Sequence, residues 1–235
     1  MAYPTRTYIE LLYDTCNRAG IIPERLLSND EEAIRASINV YLREGWECYP
    51  WPRLTTVGSV AIEDLNGTYR NRDVINIYQF NPLDYRFPRA LEYTQTVTGF
   101  HIINEIADGT IIYPEYRLRF NTLTGDPVDP SKTDYADGDK VYDPVTEDYY
   151  MAIATADGSN LSDTDEWQRL SIPAFLFDYT RGWASAELLS AAGQDEKAVL
   201  IQQKADAALQ LEKEKVERFR GLKVRATQQR RYAGN

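Results

Sequence analysis

Apolar residues recur along the chain at two different periods, helical near both ends and strand-like in the middle. Ile9, Leu12, Cys16 and Ala19 lie at helical spacing within a first helix predicted over Thr5 to Arg18, with Thr5 as its N-cap and Gly20 as its stop. Ser28 and Glu31 then have the spacing of a capping box. Ile34, Ile38, Tyr41, Leu42 and Trp46 form one apolar face of a second helix, which Pro50 and Pro52 end because proline offers no backbone donor. That helix closes in an aromatic patch of Trp46, Tyr49 and Trp51.

From Thr55 the period becomes two. Val57 to Ile62, Val74 to Phe80, Tyr93 to Ile103 and Tyr116 to Phe120 are β-branched or aromatic and alternate, with Asn-Gly, Asn-Pro, Asp-Gly and Thr-Gly-Asp as turn material between them. Asp126-Pro127-Val128-Asp129-Pro130 reads as a stiff boundary rather than a strand. A second small β unit runs to Leu170. After Ile172-Pro173 the helical period returns: Phe175, Tyr179, Gly182, Trp183, Ala186 and Leu189 share one face until Gly193. A long last helix is predicted from Asp195 to Phe219, with Ala198, Ile201, Ala205, Ala208, Val216 and Phe219 as its stripe. Residues 221–235 have little periodicity and read as an extended basic tail.

The expected fold is α+β: a helical bundle made of the amino- and carboxy-terminal helices, with an inserted β-rich region and a small β module. The expected divisions are 1–53 and 172–220 for the two halves of the helical body, 54–125 for the β-rich insertion, 126–171 for the small lobe and 221–235 for the tail. Residues 5–52 are expected to pack on 174–219, with Trp46, Trp51, Phe175, Tyr179 and Trp183 in or near one core. The lobe, with a local core and boundary-like ends, is expected to be separable from the rest.

Composition narrows the picture. With 43% hydrophobic residues the chain can build a core, yet no apolar run approaches the ~20 residues that span a bilayer. No basic-then-apolar leader opens the sequence, so residence in a cytoplasm is expected, with Cys16 and Cys48 reduced and acting as small buried filler. The net charge of −10 argues against a protein that coats nucleic acid. Residues 126–166 carry 12 acidic and 2 basic side chains, whereas 212–235 carry 3 acidic and 8 basic ones. This polarity suits subunits that meet neighbours of opposite sign.

Catalytic signatures are absent. There is no phosphate-binding glycine loop, no dinucleotide fingerprint, no His-Glu-x-x-His and no nucleophile elbow. His101 is the single histidine, within a strand pattern, and metal sites need several converging ligands. Asp134, Asp137, Asp139 and Asp143 occupy turn positions where aspartate bonds the backbone. No catalytic, metal-binding or cofactor-binding residue is assigned, and a non-enzymatic role is expected.

Tyr135-x-x-Gly138-Asp139-x-Val141, Tyr150-x-Ala152 and the closing Trp167 resemble the small chitin- and cellulose-binding modules. That resemblance implies a miniature three-stranded unit with Val141, Tyr150 and Trp167 in its core, and it raises carbohydrate binding or adhesion as an alternative role. Those modules set exposed aromatics after the Tyr-x-Ala element, where this chain has Ile153-Ala154-Thr155.

A wider likeness covers nearly the whole chain. The short first helix, the acidic-started second helix ending in Trp46 and Trp51-Pro52, the inserted β region, Gly182-Trp183-Ala184 and the run Gly193 to Ala198 resemble the head-to-tail adaptors of tailed bacteriophages. The resemblance implies a homo-oligomeric ring of 12 copies in the virion, made in the host cytoplasm and seated at the head–tail junction. Its partners would be the portal protein, a downstream tail or nozzle protein, and genomic DNA passing through the channel, with no membrane. It also implies a carboxy-terminal segment that reaches portal grooves, with Arg218, Arg220, Lys223, Arg225, Arg230, Arg231 and Tyr232 as contacts.

Overall fold

A computed structural model describes residues 4–63, 66–68, 74–84, 89–96 and 99–232. The chain forms two compact units, one made of residues 1–48 with 121–235 and the other of 49–120. Among the described residues no helix is long and apolar enough to cross a membrane.

The first unit holds four helices: α1 (Tyr8–Ala19), α2 (Ser28–Glu47), α3 (Ala174–Ala191) and α4 (Asp195–Tyr232). Helix α1 starts later than expected, because Thr7 rather than Thr5 is its N-cap. The Thr7 hydroxyl accepts from the Glu10 amide at 3.1 Å, and the Glu10 carboxylate accepts from the Thr7 amide at 3.3 Å, a reciprocal capping box. Thr5 and Arg6 instead form β1 (Thr5–Arg6), antiparallel to β13 (Ile172–Pro173). Gly20 ends α1 in the left-handed conformation. Ser28 lies inside α2, whose N-cap is Leu27, so the box expected between Ser28 and Glu31 does not form. Helices α1, α2 and α4 each lie against α3.

The small lobe is a four-stranded sheet in the order β12-β11-β10-β9. Its strands are β9 (Asp126–Pro127), β10 (Lys140–Asp143), β11 (Asp148–Ala152) and β12 (Trp167–Arg169). Asp126-Pro127, read as a stiff boundary, is thus a strand. It pairs parallel with β10, and the Val128 amide then donates to the Tyr142 carbonyl at 2.8 Å. Proline is tolerated in this edge strand, where no further neighbour needs its missing donor. Gly125 makes the approach possible, since a Cβ there would lie 2.7 Å from the Lys140 carbonyl oxygen. The lobe's own core is Tyr135, Val141, Ala152, Ala156 and Trp167, with Tyr150 packed against it.

The second unit is built from β2 (Thr55–Val57), β3 (Val60–Ala61), β4 (Asn66–Thr68), β5 (Val74–Tyr78), β6 (Tyr93–Gln95), β7 (Gly99–Ile102) and β8 (Ile111–Arg117). Strand β8 takes β2 and β3 on one side and β5 on the other, while β7 lies between β4 and β6. Ile62, Val74, Ile77, Leu91, Phe100, Ile102 and Ile112 fill its interior. Asn66-Gly67, expected as a turn, lies in β4 opposite Phe100 and His101, because pairing with β7 overrides the local preference of the dipeptide. Trp51 belongs to this unit and not to the one that holds Trp46 and Tyr179.

These findings correct the expected helical bundle with β inserts. The protein is mixed α and β, with short strands in four sheets filling the middle of the chain and outnumbering the helices. The helices do not form a body of their own, because they share one compact unit with the lobe 126–171. The physical link is buried. Tyr149 of β11 and Tyr8 of α1 are both fully inaccessible and meet edge to face with ring centroids 5.1 Å apart. The Tyr149 hydroxyl accepts from Arg35 of α2 at 2.7 Å. Asp148, also fully buried, accepts from the Tyr8 amide at 3.1 Å and pairs with Arg169. Burial pushes the phenols of both Tyr8 and Tyr149 above their ordinary value. The lobe thus shares a buried contact with α1 and α2: its Asp148 is the acceptor for the Tyr8 amide, and its Tyr149 covers the Tyr8 ring.

Cys16 is buried as expected, and burial pushes its thiol up to about 11. Cys48 is exposed, because α2 ends there. An alkylating reagent at mildly alkaline pH is expected to modify Cys48 in the folded protein and Cys16 only after denaturation. Equal modification rates at the two thiols in native protein would contradict this burial.

Candidate functional site

Two surfaces of the first unit stand out, a long basic helix end and an acidic lobe face. The helix end follows from how α3 and α4 pair. They are antiparallel and very close, since a Cβ on Gly182 would lie 2.6 Å from the Ala205 Cβ. Farther along, Ala186 and Leu189 pack with Ala198, and the Trp183 indole donates to Asp206 at 2.8 Å. Trp183 is also stacked on Tyr41 of α2, with ring centroids 5.3 Å apart. Gly182→Ala is expected to push the helices apart and cost roughly 1–3 kcal/mol, read as a lower urea midpoint. An unchanged midpoint would mean that the pair relaxes freely.

In this register the first residue of α3, Ala174, lies roughly level with residue 213 of α4, so the rest of α4 runs on for roughly 28 Å past its partner helix. Among the described side chains of α4, Leu209 is the last buried apolar one, and Leu211 is half exposed. From Arg218 to Tyr232 the sequence has six basic residues and no acidic one. Basic side chains at a helix carboxy terminus are favourable beside the negative end of its dipole. The segment 221–232 was expected to be extended and is instead helical. Arginine, lysine, glutamine and alanine are all good helix formers, so the absence of an apolar stripe was no stop signal.

Of the side chains expected to meet a portal, Arg218 pairs with Glu214 of its own helix at 3.3 Å. Arg220, Lys223, Arg225, Arg230, Arg231 and Tyr232 continue the backbone of α4, and their side chains lie outside the described residues.

The acidic face is the lobe. Asp126, Asp129, Asp134, Asp137 and Asp165 are exposed. Asp129 accepts from the Ser131 hydroxyl and amide, and Asp157 from the Ser159 amide, and these hydrogen bonds hold both carboxyls below the ordinary aspartate value. Asp143 accepts from the Val145 amide at 2.9 Å and from the Thr146 hydroxyl at 2.7 Å. Among the described residues, Asp148 is the lobe carboxylate that forms an ion pair, and the carboxylates of Asp126, Asp134 and Asp137 take part in no hydrogen bond or ion pair. Val145, at the β10–β11 turn, is 87% exposed and makes an apolar point on this charged surface. Tyr135 and Trp167, the aromatics of the module-like motif, are buried in the lobe core and present no ring face to a sugar.

A groove of about 620 Å³ opens between α1 and α3, lined by Arg6, Glu10, Asp14, Phe177, Asp178 and Arg181 among others. Its charges are already matched: Arg181 pairs with Asp14 and Asp178 at 2.5 Å, and both Arg6 and Arg181 lie over the Phe177 ring. Among the described residues no cluster of His, Cys, Asp and Glu has the arrangement of a metal site. His101 lies in β7, opposite Asn66 and Thr94. Comparison with models of protein families, with curated proteins and with solved structures gives no match.

The acidic lobe and the basic end were both legible as charge counts. What sequence reasoning missed is that the basic end is helical and that Asp148 is buried. The only sequence signal for Asp148 was its place beside Tyr149 in an alternating strand.

Proposed function

We propose that the chain is a structural, non-catalytic subunit of a ring-shaped head-to-tail adaptor of a tailed bacteriophage, set between the portal and the downstream tail or nozzle protein. The observation that carries this reading is the overhang of α4. A helix that outruns its partner by several turns, with a basic and largely polar sequence, gains little from its own fold. Its length is accounted for when it meets the next component of an assembly. The whole-chain resemblance to such adaptors supports the same reading, as does the opposite charge of the lobe and of the carboxy-terminal part of α4. In this reading, DNA passes through the ring.

Purified protein mixed with a portal ring is expected to give a closed ring seated on the portal in negative-stain images, with a mass set by a whole number of subunits. Protein that stays monomeric and unbound at every concentration would overturn the reading.

A further inference from the structure

We infer that the basic distal half of α4 docks on the acidic face of the small lobe of a second copy of this chain. The inference deepens the adaptor reading and rests on it for the ring, though the contact itself needs only self-association.

The surface in question is a helix past the end of its partner. Up to Arg218 the charges of this half are matched locally, Lys215 with Glu212 and Arg218 with Glu214, and not with the lobe of the same chain. Beyond Glu217 the acidic partners run out, while Arg220, Lys223, Arg225, Arg230 and Arg231 follow. The fourteen residues 219–232, with five positive charges and no negative one, have no counter-charge in their own stretch of sequence.

The occupant follows from complementarity. The lobe carries 12 acidic side chains against 3 basic ones, and all of the acidic ones but Asp143 and Asp148 reach the surface at least in part. Several of its carboxylates are fixed by turn hydrogen bonds, so they present negative charge without further ordering of the side chain. Asp126, Asp134 and Asp137 have no partner among the described residues, which leaves their oxygens open to the paired N–H groups of arginine. The lobe face also carries an unburied apolar residue, Val145, which gives the charged contact an apolar component. Because lobe and helix end are different surfaces, each copy donates one and accepts on the other. Such a head-to-tail contact closes into a ring when the rotation between copies permits.

Sedimentation velocity on the full chain alone, without portal, tests the contact by charge exchange. D134K/D137K and R225E/R230E are each expected to weaken self-association about tenfold or more. The variant carrying all four changes is expected to return to within about threefold of the native chain. Rising salt should weaken the native contact in parallel. Circular dichroism of each variant shows that the fold is kept, and the four-change variant guards against a loss caused by misfolding of either pair.

The inference is overturned if the four-change variant stays as weak as its parents, or if the native chain does not self-associate. It is also overturned if R225E/R230E self-associates normally but no longer binds portal. In that case α4 docks on the portal, and the adaptor reading stands without this contact. Rescue by charge exchange together with failure to bind any portal would have the opposite meaning: the contact stands and the adaptor reading falls.

Discussion

Replacing Tyr149 by alanine is expected to cost roughly 3–5 kcal/mol of stability. Tyr149 is fully buried and touches three elements at once. Its ring meets Tyr8 of α1 edge to face, lies 5.1 Å from the Tyr142 ring, and its hydroxyl accepts from Arg35 of α2. Truncation leaves a cavity bounded by a buried phenol and a guanidinium, groups that collapse poorly onto each other. Tyr149→Phe keeps the ring and removes the Arg35 bond, so it should cost only about 1–2 kcal/mol. Urea unfolding followed by circular dichroism measures both. If the alanine variant loses less than about 1 kcal/mol, far below the range for a buried ring, the lobe and α1 do not share a core.

The second large effect is expected at Asp148, where alanine should cost about 2–3 kcal/mol. This buried carboxylate holds the first free amide of α1 and pairs with Arg169. Arg169 is 46% exposed, so water recovers part of what the ion pair provided, and the figure stays below that of a fully buried pair. Asp148→Asn keeps an acceptor for the Tyr8 amide and loses the charge, so its cost should fall between native and alanine. The same urea experiment decides. An asparagine variant as damaged as the alanine one would place the whole effect in the ion pair with Arg169 rather than in the cap.

Signals that act over a few residues were readable from the chain. Gly20 stops α1, Gly193 parts α3 from α4, and Gly138-Asp139 turns the lobe where the pattern put it. Val141 and Trp167 fill the lobe core as the resemblance to the small sugar-binding modules implied. What was not readable depends on partners far away in sequence. Asp126-Pro127 looks like a break until β10 lies beside it. Thr5 looks like a cap until β13 claims it for a strand and Thr7 takes the role. Cys48 looks like filler because the helix pattern does not show that its face has run out at residue 47. The candidate surfaces divide the same way: their charge is a sum over residues, whereas the helical state of 221–232 depends on propensities too even to leave a mark.

The fastening of α1 also sets a schedule for biosynthesis. Tyr8 waits for a carboxylate and a ring from residues 148 and 149, and β1 waits for residues 172 and 173. At ~5–20 residues per second the ribosome needs on the order of ten seconds or more to supply them. Throughout that interval the apolar face of α1, with Leu11, Leu12 and Cys16, has neither its cap partner nor α3 to lie against. A nascent chain of this protein therefore carries an uncovered α1 until β11, β13 and α3 have been made, and synthesis of neighbouring copies on one message puts such helices within reach of one another in that interval.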